Sequence, residues 1–224
     1  MLVAAGMMAL SRIVNHFGTD AIAAFTIAGR IDSFALMPAI NLSMAMSTFV
    51  GQNIGAGHFE RVKAAIKTGL LLSSVIALVL SFLVILFSIP LLGFFTDDAG
   101  VLAIGKEYLF IVCGFYLAFM VMFIFNGALR GAGDTLIPMF ITLFALWLIR
   151  IPVSSYLSTI IGTQGIWWGI PIAWVIGALF TAIYFATGRW KRNALIKRPG
   201  KELEAEEIIG EIECVEWETK EFRP

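Results

Sequence analysis

Long apolar runs broken by a few polar residues recur along the whole chain. Residues 68–95 carry no charge at all. A spanning helix needs about 20 mostly apolar residues, and the pattern predicts six: 1–17, 20–50, 68–95, 108–129, 135–161 and 165–187. The first is short, is interrupted by Arg12 and reads as a helix whose beginning is missing. The second contains Arg30, Asp32 and Pro38, and the fifth contains Arg150. The predicted fold class is therefore an all-α integral membrane bundle of six helices. The opening "MLVAAGMMALSRIVNHF" has no basic region before its apolar run, so it does not read as a signal peptide.

Polar punctuation separates the runs. Asp20 and Asp134 stand where a carboxylate would cap the following helix and meet its positive dipole end. Gly131 and Gly133 precede Asp134 and read as the turn glycines of a helix exit. The stretch "GQNIGAGHFERVK", with Gly51, Gln52, Gly55 and Gly57, reads as a second break of this kind. Neither stretch has the G-x-x-x-x-G-K-[ST] spacing of a phosphate loop, and neither follows a strand.

Composition supports a lipid environment. The chain is 59% hydrophobic and 14% charged, against about 25% charged in soluble domains. Residues 1–188 hold 8 Lys+Arg and 7 Asp+Glu, while residues 189–224 hold 8 Lys+Arg and 9 Glu. The chain thus divides into a membrane block, 1–188, and a charged tail, 189–224. Arg61, Lys63, Lys67 and Arg130 fall in alternate loops on the side of the tail. The Lys/Arg excess marks that side as cytoplasmic, and six spans bring both termini there. In the tail, Ile208, Ile212, Val215 and Phe222 fall on one helical face, which predicts a short amphipathic helix.

Enzyme chemistry finds no support. There is no H-E-x-x-H, no C-x-x-C and no nucleophile elbow. His16 and His58 are not at ligand spacing, so no metal site is expected. The two cysteines indicate no disulfide framework. Nothing points to nucleic acid, and the expected surroundings are membrane lipid.

Polarity at membrane depth is costly and is normally functional or paired. Arg30 stands about 11 residues into the second helix, roughly 16 Å deep. Asp32 points to another side, because residues two apart do not share a helix face. Two readings stay open: each finds its own partner inside the bundle, or one or both line a hydrated cavity. Pro38 and Asn41 follow in the same helix, and proline loosens the backbone as in broken transporter helices. Asn126 ends the fourth helix among phenylalanines and methionines. Arg150 lies about 24 Å along the fifth helix and is expected to snorkel to the outer interface. The chain has 19 Phe and 9 Met, concentrated around Tyr116 in "FYLAFMVMFIFNGAL". Aromatic faces and thioethers suit organic cations, although packing and lipid contact account for most of them.

Three stretches, "LSRIVNHFGTDAIAAFTIAGRIDSF", "GQNIGAGHFERVKAAIKTG" and "NGALRGAGDTLIPMFITLFALWLIRIP", resemble the multidrug and toxic compound extrusion family in order and spacing. The resemblance covers about residues 9–192. It implies two pseudo-symmetric six-helix bundles around a central cavity, exchanging small organic cations for sodium ions or protons, with no other cofactor. On that likeness the chain is the second bundle, its first helix cut, and its partner is the missing six-helix half or a second copy. "LRGAGDT" then resembles the cytoplasmic turn between the family's tenth and eleventh helices, a structural element. A branch of the family binds its coupling ion at an acidic residue of the tenth helix, and the corresponding helix here has none. On that likeness the coupling carboxylate is expected in the missing first bundle, as in the family's other branch; Asp32, the only deep carboxylate in this chain, is the weaker candidate. The expected cavity residues are thus Arg30, Asp32, Asn41, Tyr116 and Asn126. The alternatives are a lipid or polyisoprenoid flippase of related fold, or a non-transporting fragment or scaffold. Each would sit in the cell membrane as a multi-pass protein.

Overall fold

The computed structural model describes residues 2–190. These fold into helices α1 (Leu2–Asn15), α2 (Thr19–Gly55), α3 (Phe59–Leu86), α4 (Ser88–Gly93), α5 (Ala99–Cys113), α6 (Tyr116–Gly131), α7 (Leu136–Phe144), α8 (Ile151–Ile161) and α9 (Thr163–Ala186). A π-helical segment, Ala145–Arg150, joins α7 to α8. Four helices are long and apolar enough to cross a membrane, with α7, the π segment and α8 counted as one, Leu136–Ile161. The α5–α6 pair, bent by 48°, supplies a fifth such span. The amphipathic helix expected in the tail lies outside the described residues.

Each irregularity has a local cause. Pro152 has no N–H, so the carbonyl four residues back loses its α-helical donor, and the wider π register takes up the fault there. The α5–α6 bend falls at Gly114–Phe115. The freed carbonyl of Cys113 accepts a hydrogen bond from Ser81 Oγ of α3 at 2.8 Å. The fourth span accordingly begins at Ala99, earlier than the apolar run from 108 indicated. The third begins at Phe59 and ends at Leu86, because the amphipathic "FERVKAAIK" continues the helix outward.

The core runs between α2, α5, α6 and α9, around Trp167, Tyr116, Leu109 and Met120, all at most 1% exposed. A second cluster, with Val50, Val62, Leu129 and Trp190, closes the end nearer the two glycine-rich turns. On the outside, Leu71, Leu78, Phe82, Leu148 and Ile183 stand exposed, as a lipid-facing surface requires.

Helix crossings depend on small residues. On α6, Gly127 and Gly131 lie so close to α2 that a Cβ on either would collide with the backbone of Ser43 or Ser47. On α9, Gly165 and Gly169 meet Leu157–Ser158 and Ser154 of α8 in the same way. Both are small-x-x-x-small crossings, in which close backbone approach gains van der Waals contact.

Several sequence expectations change here. Gly131 is a packing glycine at the end of α6 rather than a turn residue, whereas Gly133, at φ +86°, makes the turn. Gly51 and Gln52 lie inside α2, where Gly51 packs against the Gly131 carbonyl; Gly55 ends that helix and Gly57 turns the chain. Asp20 does not cap α2: Gly18 holds that position, and Asp20 sits in the first turn, where its charge still meets the dipole. Nor does Asp134 cap α7. Thr135 is the N-cap, and the buried Asp134 carboxylate accepts a hydrogen bond from Tyr184 of α9.

Candidate functional site

The site forms around Asp32. Its neighbours Ile31, Ala35 and Ala28 face the core, and helical spacing turns Asp32 inward with them, leaving it 6% exposed. Tyr108 Oη donates to Asp32 Oδ2 at 2.7 Å. Tyr116 Oη donates to Oδ1. Eight residues would separate these tyrosines by about 12 Å along a straight helix. The bend at Gly114–Phe115 lets residues from α5 and α6 converge on one carboxylate. Both carboxylate oxygens thus have a neutral donor, which lowers the cost of burying the charge.

Aromatic rings wall the carboxylate off. Trp167 stacks on Phe25 with centroids 5.7 Å apart and meets Tyr108 edge-on at 5.0 Å. Trp174 packs on Phe119 at 4.8 Å and lies 6.5 Å from Tyr116. Among the described residues, no group of three or more His, Cys, Asp and Glu could hold a metal ion.

The other predicted residues separate. Arg30 and Asn41 are exposed and lie on the opposite side of α2, so Arg30 does not share the bundle interior with Asp32. Exposed Phe34, Met37, Met44, Thr48 and Gln52 continue that side at three- and four-residue steps. Asn126 is buried, 7% exposed, and its Oδ1 has no hydrogen-bond partner. Arg130 donates to Ser43 Oγ at 2.8 Å, and Ser43 donates to the Phe123 carbonyl at 2.6 Å, bracing the α2–α6 crossing. His16 shares a cavity of mixed lining with Arg12, Phe17, Ser155 and Thr159, while His58 is the N-cap of α3.

Arg150 is half-buried. Its Nε is buried and has no hydrogen-bond partner. It makes no ion pair among the described residues. Tyr108, Trp167 and this placement of Arg150 were missed by sequence reasoning. Tyr108 carried a usable signal, since a phenol hydroxyl in an apolar helix needs an acceptor.

A helical bundle with an exposed apolar outer surface and polar groups buried inside is the architecture of an integral membrane protein. Comparison with known proteins agrees. The family model MatE matches residues 1–156. The chain is 33% identical over 199 residues to the probable multidrug resistance protein YoeA of Bacillus subtilis, covering 88% of this chain and 43% of that one. It is 31% identical over 195 residues to the probable multidrug resistance protein NorM of Thermotoga maritima, covering 86% and 42%. Among solved structures, a MATE protein in its straight conformation superposes with a TM-score of 0.79 at 17% identity, over 86% of this chain and 43% of the other. A MOP superfamily transporter of Pyrococcus furiosus gives 0.77 at 18%, over 86% and 44%. The chain belongs to the MATE family, whose members are transporters rather than enzymes. It spans about half the length of the curated relatives it matches.

Proposed function

We propose that the chain is the C-terminal lobe of a cation-coupled exporter of organic cations, with Asp32 as the carboxylate that takes the coupling proton or sodium ion. The observation that carries this reading is a buried carboxylate, held by two tyrosine hydroxyls and walled by aromatic rings, inside a lipid-facing bundle. A charge there costs stability, and apolar residues would pack the space at less expense. The exposed side of α2, with Arg30, Asn41, Thr48 and Gln52, then lines the passage and faces a second six-helix half. Lipid is a poor solvent for that side, and the relatives are about twice as long as this chain.

The Lys/Arg distribution supports cytoplasmic termini, with Arg61 inside and Asp98 outside. Cysteines placed at these two positions should label from opposite sides of the membrane; labelling of both from outside would refute the topology. For the function, drug efflux is measured in cells making the chain alone and together with a preceding six-helix half. Efflux should require both halves and fall to background with Asp32→Asn. Robust ion-coupled transport by purified monomer in liposomes would refute the half-transporter reading, and undiminished efflux with Asp32→Asn would refute the role of Asp32.

A further inference from the structure

Away from Asp32, α1 and α8 enclose a cavity of about 520 Å³. Arg12, His16, Ser155, Ser158 and Thr159 line it, with Ile13 and Phe17 as its apolar part. Small-molecule sites span roughly 300–1,000 Å³, so the space suits a small organic group. It lies at the end of the bundle opposite the glycine-rich turns, because α1 ends at Asn15 and α8 at Ile161. Arg12 and Ser158 each stand about 5 Å inside the end of their helix. That is the level of lipid headgroups rather than of the hydrocarbon core. The neighbouring surface agrees: on α8, Tyr156 is 69% and Ile160 61% exposed, an amphipathic ring beside an apolar side chain, as at a membrane interface.

The polar lining divides by chemistry. α1 supplies donors, the guanidinium of Arg12 and the imidazole of His16, both exposed. Neither makes an ion pair among the described residues. The carboxylate nearest to them in sequence, Asp20, is turned elsewhere: it accepts from Thr19 Oγ1 and lies against Gly100 of α5. α8 supplies acceptors. Ser158 Oγ donates to the Ser155 carbonyl at 2.8 Å, and Thr159 Oγ1 donates to the Tyr156 carbonyl at 2.7 Å. Their protons are used within the helix, so a ligand meets their lone pairs.

We propose that this cavity binds the headgroup of a membrane phospholipid that carries both a phosphate and a primary ammonium. Arg12 and His16 hold the phosphate through charge-assisted hydrogen bonds, and the hydroxyl oxygens of Ser158 and Thr159 accept from the ammonium. A bare anion would leave those acceptors unmet, and a quaternary ammonium has no N–H to give them. The acyl chains then follow the exposed apolar surface of α8, which favours a lipid over a soluble phosphate compound. A headgroup held there bridges the ends of α1 and α8. The site stands apart from Asp32 and does not depend on the role of that carboxylate.

The test is native mass spectrometry of the purified full chain in detergent, titrated with dioleoyl phosphatidylethanolamine. Binding should saturate at one tightly held lipid. Arg12→Gln combined with His16→Gln should weaken it by about tenfold or more, since two donors to the phosphate are lost. Both side chains are exposed, so the folded yield should stay at the wild-type level. Lys106→Gln, which removes an exposed charge outside the cavity, should leave binding unchanged. Dioleoyl phosphatidylcholine should bind about tenfold more weakly than phosphatidylethanolamine, for want of an N–H. Equal binding of the two lipids, or equal binding by wild type and the double variant, would overturn the proposal. Soluble phosphoethanolamine at the concentration of the lipid should not displace it; displacement would make the ligand a free phosphate compound and overturn the lipid assignment. The same titration is repeated with a preceding six-helix half present. Retained preference supports the site, and its loss would mean that the half covers the cavity and would overturn it.

Discussion

The two sides of α2 carry opposite chemistry two residues apart. Inward, Asp32 is 6% exposed and both its oxygens accept hydrogen bonds from tyrosines of two other helices. Outward, Arg30 and Asn41 are exposed within a stripe of mixed polarity. The inner side resembles a protein interior, close-packed and with its polar group satisfied. The outer side has polar groups that lipid would serve poorly and that are exposed among the described residues. One helix thus belongs to two environments, which is the property expected of a wall between a lobe and a passage.

Five substitutions test that contrast, in falling order of expected effect. Asp32→Ala leaves two buried phenol hydroxyls without their acceptor; folded stability should fall by about 3–5 kcal/mol, read as lost monodisperse yield. Tyr108→Phe removes one donor to a buried carboxylate and should cost about 1.5–3 kcal/mol in thermal unfolding. Gly127→Ala drives a methyl into Ser43 of α2 and should cost about 1–3 kcal/mol. Its outer counterpart is Gly29→Ala, where nothing lies within 4 Å; that change should stabilise by about 0.5–1 kcal/mol through helix propensity. Equal effects at the two glycines would erase the packing distinction between the sides. Arg30→Gln should leave stability within about 0.5 kcal/mol and act on transport alone. A melting temperature lowered as far as that of Tyr108→Phe would place Arg30 inside the lobe's own packing.

Much of this was legible in the sequence, for reasons that vary by residue. The spans followed from apolar run length, and the cost of deep charge drew Arg30 and Asp32 alike into the interior, of which only Asp32 is buried. The likeness of three stretches to one family foretold the architecture. What sequence reasoning missed depends on contacts between distant elements. Tyr108 and Tyr116 are partners of Asp32 only because the span bends at Gly114–Phe115, and a count along a straight helix separates them. Arg150, expected to snorkel to an interface, is half-buried with its Nε lacking a partner, a packing detail that axial rise along a helix does not give. Gly131 was read as a turn residue because spacing alone does not distinguish a glycine that turns a chain from one that admits a neighbouring helix. Asp134 was read as a cap, since its partner Tyr184 is on α9, 50 residues away.

Accessibility of α2 to water tests the central claim most directly. In a Cys214→Ser background, cysteine is placed in turn at Asn41 on the outer side of α2, at Ala39 on the inner side and at Leu78 on the lipid-facing side of α3; Ala39 is 1% and Leu78 62% exposed in the lobe. Membranes carrying the chain in its native setting are treated with a hydrophilic maleimide. Reaction needs the thiolate, and therefore water. The account predicts that Asn41→Cys reacts about tenfold faster or more than both Ala39→Cys and Leu78→Cys. An Asn41→Cys as inert as Leu78→Cys would mean that lipid covers this side of α2, and the passage proposed along it would not exist.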